Sequence, residues 1–147
     1  MTPRLAFGAL LALAACEAPA PPLPTEARTI TGAYVPAAPA GGTAGLFFEV
    51  SAARAPDTLL AVRTDAAAQV QIHRTTAGDG GIRGMARLDR VVVPAGGGLA
   101  FAPGGLHVML VETTRGLAPG DTVRATAVFA RAGDVPVVAV VRSLREL

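Results

Sequence analysis

Along residues 29–147, short runs rich in valine, threonine, isoleucine and phenylalanine alternate with glycine, proline and aspartate, and no window holds a sustained helical period. Such runs predict strands over 29–35, 44–51, 58–64, 68–75, 82–88, 98–102, 106–112, 122–130 and 136–144. Many short strands at regular spacing, with turn residues between them, give an all-β fold: an antiparallel sandwich or barrel. Two of the runs carry a period of two with a chemical consequence. In residues 106–111 the side chains of His107 and Met109 share one face, and Leu106, Val108 and Leu110 share the other. In the earlier run over 68–75, Val70 and Ile72 point inward while Gln71 and His73 point outward. One face packs and the other is free to bind.

The pattern changes at the N-terminus. Arg4 precedes an apolar run from Leu5 to Ala15, short of the about 20 residues a membrane-spanning helix needs but fitting the core of a secretory leader. The run ends Leu13-Ala14-Ala15-Cys16, which resembles the bacterial lipobox, where the cysteine is acylated and becomes the mature N-terminus. Cys16 is the single cysteine of the chain, so it has no intrachain disulfide partner and lipidation is its expected fate. Residues 16–28 are then a lipidated cysteine and a Pro/Ala-rich spacer, extended and semi-rigid. The expected organisation is a leader over 1–15, a tether over 16–28 and one domain over 29–147. A domain of that size buries roughly two-thirds of the surface its unfolded chain exposes, and it would sit beside a membrane on its acyl chains.

Charge narrows the class of partner. All 13 basic residues are arginine, set against 11 acidic ones, and they are scattered along the chain. With five phenylalanines, one tyrosine and no tryptophan, the composition offers no basic stripe interleaved with stacking aromatics, so nucleic acid is not an expected partner.

Once the leader is set aside, His73, Met85, His107 and Met109 are the only histidines and methionines. Any one alone reads as an ordinary core or surface residue; methionine in particular is common gap filling. Together they are two imidazoles and two thioethers, a soft, uncharged donor set suited to copper(I) and poorly suited to calcium, magnesium or manganese. A three-residue loop of Gly78, Asp79 and Gly80 would place His73 directly opposite Met85, and a two-residue loop would shift that pairing by one.

The spacing resembles that of the periplasmic copper chaperones called PCuAC: His, optional Met, ten residues, Met, twenty-one residues, His, one residue, Met. Eleven residues separate His73 from Met85, with Arg74 at the optional methionine, and twenty-one separate Met85 from His107. GAYV near residue 32, VPAGGGLAFAPGGLHVML over 93–110 and LAPGDTV over 117–123 are also similar to that family. The resemblance implies a cupredoxin-like Greek-key version of the sandwich and one copper(I) ion per chain, held by the four residues. It also implies delivery to the copper centre of cytochrome c oxidase, directly or beside a Sco-type partner, in the bacterial periplasm. Arg74 departs from the pattern, since a guanidinium cannot ligate copper; in a strand it faces away from His73.

Other chemistries find little support. A blue-copper site needs a cysteine thiolate in the domain, and zinc catalysis needs His or carboxylate ligands in greater number. Ser51 and Ser143 lie in no nucleophile elbow. GDGGIRG over 78–84 is no dinucleotide fingerprint, and a chain without lysine has no Walker loop. An enzyme is therefore not expected. A copper-sequestering lipoprotein and a structural module without metal remain as rival classes.

Overall fold

A computed structural model describes residues 27–77 and 83–146. The leader, Cys16, most of the tether and the loop containing Gly78, Asp79 and Gly80 lie outside the described residues. Ten strands follow one another: β1 (Ile30–Pro36), β2 (Thr43–Val50), β3 (Asp57–Arg63), β4 (Ala67–Ala77), β5 (Arg83–Leu88), β6 (Val91–Val93), β7 (Leu99–Phe101), β8 (Leu106–Thr113), β9 (Thr122–Phe129) and β10 (Gly133–Arg142). The described residues contain no helix. Nine of the strands fall on predicted runs. The tenth, β6, is three residues between Arg90 and Pro94, too short to show a period, and it forms because it pairs with β3 along Asp57 to Leu59.

The strands make one sheet in the order β5-β4-β8-β7-β2-β1-β10-β9-β3-β6, with β8 also pairing directly with β2. Because β3 packs back against β4, the sheet rolls into a nearly closed barrel. Most pairings are antiparallel, as expected, but β1 runs parallel to β10 and β7 parallel to β8, so the sheet is mixed. Parallel neighbours cannot be joined by a tight hairpin, and the long excursion from β1 to β10 is a crossover that strand periodicity does not reveal.

The interior is apolar. Leu46, Phe48, Leu59, Val108, Leu110, Val123, Val137 and Val141 are almost fully buried, and Phe48 stacks on Phe101 at 4.4 Å between β2 and β7. Strand β10 shows the logic most clearly: Val135, Val137, Ala139 and Val141 are buried while the alternating residues are exposed, although its sequence is apolar nearly throughout. Asp57 is buried as well. Its carboxylate accepts hydrogen bonds from the backbone N–H groups of Thr58, Arg131 and Ala132 at 2.7, 2.9 and 3.0 Å, tying the start of β3 to the β9–β10 turn. At the domain entry, buried Arg28 donates to the carbonyls of Ser51 and Ala55, each at 2.7 Å. The outer face of β5, β4 and β8 is left for side chains that the core does not use.

Candidate metal centre

Three adjacent strands, β5, β4 and β8, carry all four predicted donors on one face. His73 of β4 pairs directly with His107 of β8, and Gln71 pairs with Met109. The two imidazoles meet edge to face, with ring centroids 5.8 Å apart and planes at 67°. On the other side of β4, Met85 is opposite Thr75, and Arg87 is opposite His73. The expected pairing of His73 with Met85 is thus corrected by two positions. Ala77 pairs with Arg83, so five residues lie between these partners and the register differs by two from that of a three-residue loop. A shift of two preserves the face, and Met85 stays diagonal to His73, within the roughly 7–8 Å at which diagonal cross-strand neighbours interact. Met85 and Met109 therefore flank the histidine pair on opposite diagonals.

Burial grades the donors. His107 is 6% exposed and Met85 64% exposed, with His73 and Met109 between them. Met85 sits on the edge strand, whereas β8 is covered on both sides. Arg74 is exposed and shares its position with Leu106, on the face opposite His73, as its place in the strand predicts.

The nitrogens of the two rings are in different states. Gln71 Oε1 lies 2.9 Å from His73 Nε2. An amide oxygen only accepts, so Nε2 carries the proton and Nδ1 holds the lone pair. That Nδ1 is buried and has no hydrogen-bond partner among the described residues. Buried polar atoms are nearly always satisfied, so an orphaned lone pair facing a second imidazole fits a site built for a cation. In His107, Nδ1 donates to the carbonyl of Gly105 at 3.1 Å, which leaves Nε2 as the lone-pair donor. The same carbonyl accepts the N–H of Thr75 at 3.0 Å, so one backbone oxygen fixes the His107 ring and ties it to β4. The turn that presents it has Gly104 at φ 76°, in the left-handed region that glycine reaches without strain.

The proton affinity of His73 is lowered from the ordinary 6.5, first by burial, then by the neighbouring His107 and by the Arg87 charge across the β4–β5 pair. The shift keeps the ring neutral, the form that donates to metal. A wall of rings borders the site. Phe47 lies 6.4 Å from His107 and 5.1 Å from Tyr34, and the Arg142 guanidinium sits 4.6 Å above Tyr34. Phe47 reaches this position because Gly45, two residues earlier on the same face, has no side chain; a Cβ there would stand 2.7 Å from the tip of the ring.

Phe47 is not among the residues singled out from the sequence. The alternation places Gln71 on the outward face with His73, but its hydrogen bond to that ring is not foreseen there. The Gly105 carbonyl carries no side-chain signal. Among the described residues no group of three or more His, Cys, Asp or Glu side chains converges, so the face offers two imidazoles and two thioethers. The hydroxyl of Ser51 is occupied in accepting the N–H of Thr29 at 2.9 Å.

The family model of LpqE-like lipoproteins matches residues 29–141. Among solved structures, the copper-bound PCuAC domain from PmoF2 is 29% identical, over 82% of this chain and 97% of that one, with a TM-score of 0.67. Apo-DR1885 from Deinococcus radiodurans, solved in solution, is 29% identical over 97% of this chain and 95% of its own, with a TM-score of 0.59. The copper(I) form of DR1885 is 27% identical over 82% and 79%, with a TM-score of 0.60. No curated protein matches the chain. The barrel is thus the cupredoxin-like PCuAC fold that the motif resemblance implied.

Proposed function

This chain belongs to the LpqE-like family and has the PCuAC fold, and from that membership we propose that it is a carrier of copper(I). The observation that carries the reading is the unshared lone pair of His73 Nδ1, buried opposite His107, whose Nε2 is free to donate. Met85 and Met109 add thioethers on either side, and soft neutral donors of this kind suit a monovalent copper ion. One ion per chain is the load that a single histidine pair supports.

The grading of exposure suggests how the ion leaves. His107 is buried, so it is the anchor; Met85, on the edge strand, is the donor that a receiving site replaces first. No donor brings a formal charge, so each exchange swaps one neutral ligand for another without stranding a buried anion. We read the chain as a carrier and not as an enzyme. Its recipient is the copper centre of cytochrome c oxidase, reached directly or alongside a Sco-type protein, as the motif resemblance implies. Its place is the periplasm, anchored to a membrane through lipid on Cys16, in keeping with the lipoprotein description of its family.

Anaerobic transfer tests this reading. Copper(I)-loaded chain is mixed with an apo fragment carrying the oxidase copper site, the two are separated, and the metal in each is measured. Copper recovered on the fragment supports delivery, and copper retained on the chain makes it a sequestering protein.

A further inference from the structure

Resting on the copper(I) reading, we infer that Gln71 is a positioning residue that selects which nitrogen of His73 meets the ion. Gln71 lies two residues before His73 on the same face of β4 and directly across from Met109, so its amide is beside the donor cluster. Its Oε1 accepts from His73 Nε2 at 2.9 Å, and its Nε2 donates to Gln69 Oε1 at 3.3 Å. The second bond orients the first. With Gln69 as it stands, turning the Gln71 amide over would set two oxygens against each other and two N–H donors against the ring.

A histidine ring attached through Cβ can offer either nitrogen if it rotates by half a turn about its own axis. The two are not equivalent: Nδ1 is adjacent to the Cβ attachment and holds an ion close to the strand, whereas Nε2 reaches outward. With Nε2 held as a donor to Gln71, the inward-facing atom is Nδ1, the one buried polar side-chain atom that lacks a partner among the described residues. His107 is held in the opposite sense, since the Gly105 carbonyl takes its Nδ1 and leaves Nε2. Two directly paired histidines thus offer different nitrogens, and the ion sits asymmetrically, near the backbone of β4 and at ring's length from β8. A hydrogen-bond partner on the second ring nitrogen fixes ring orientation, and losing such a partner typically costs about 10- to 100-fold in metal affinity.

The test is nitrogen-15 and carbon-13 spectroscopy of the histidine rings in the full chain, apo and loaded with copper(I), for the parent protein, Gln71→Leu and Gln71→Glu. In the parent, the inference expects a protonated, slowly exchanging His73 Nε2 in both states and coordination through Nδ1. In Gln71→Leu the Nε2 proton exchanges fast, the loaded spectrum shows both Nδ1- and Nε2-bound rings, and affinity falls by about 10- to 100-fold. Gln71→Glu keeps an acceptor and restores the single Nδ1-bound ring, which a merely structural role for Gln71 would not produce. Coordination through Nε2 in the parent, or a Gln71→Leu spectrum identical to the parent's, overturns the inference while leaving the carrier reading intact. A parent protein that takes up no copper(I) overturns both.

Discussion

His73 and His107 are directly paired across the β4–β8 ladder, with ring centroids 5.8 Å apart and planes nearly perpendicular. The pairing comes from strand register within the body of the sheet. A slip of one residue would turn every side chain of β4 to the other face and bury the wrong set, so the hydrophobic pattern that specifies the core also brings the two imidazoles together.

Met85 and the core are independent. Because Met85 is 64% exposed on an edge strand, Met85→Ala should change unfolding free energy by no more than about 0.5 kcal/mol. Its copper(I) affinity should nevertheless fall. Denaturant unfolding of the apo protein beside a copper(I) competition titration checks both halves.

Acid should act on binding through His73. Burial, His107 and Arg87 lower its proton affinity from 6.5, so in an NMR titration of the apo protein its midpoint falls below that value. The unfolded chain therefore binds more protons than the folded one. Stability from this group is fully present above about pH 6.5 and is lost as pH falls through the folded value. Copper(I) affinity should hold at neutral pH and decline over the same acid range, since a protonated ring cannot donate. Arg87→Gln removes one lowering charge and should move the midpoint upward.

Phe47 and Gly45 share one space. In Gly45→Ala the new Cβ would lie 2.7 Å from the ring tip, so the Phe47 ring must shift, and with it the surroundings of His107. We expect a loss of about 1–3 kcal/mol, as for other overpacked sites, and changed ring resonances of His107. Calorimetry and the histidine region of the proton spectrum measure the two effects.

Asp57 stabilises the barrel where the start of β3 meets the β9–β10 turn. Asp57→Ala strands three backbone N–H groups that now bond a buried carboxylate, so it should cost about 2–3 kcal/mol. Copper(I) binding to the protein that remains folded should be unchanged, which a competition titration below the unfolding transition would establish.

Much of this molecule can be read from its residues. Alternation in β8 put His107 and Met109 on one face and Leu106, Val108 and Leu110 on the other, and the sheet keeps that division. What the residues do not disclose depends on partners distant in sequence. Val91–Val93 becomes a strand only because β3 lies beside it, and β1 and β10 become parallel neighbours only through a crossover. The position of Met85 depended on a loop length that Gly78, Asp79 and Gly80 do not fix. The orientation of the two histidine rings depends on Gln71 and on a backbone carbonyl, and a carbonyl leaves no mark in the sequence.

Whether the paired histidines hold copper(I) is decided by anaerobic titration of the full chain with copper(I) against a competing chromophoric chelator, run beside His107→Ala. One ion should bind per chain, with a loss of more than about 100-fold in the variant, beyond what a supporting hydrogen bond alone is worth. If the parent protein fails to compete for copper(I), or if His107→Ala binds as the parent does, the site described here is not a copper centre.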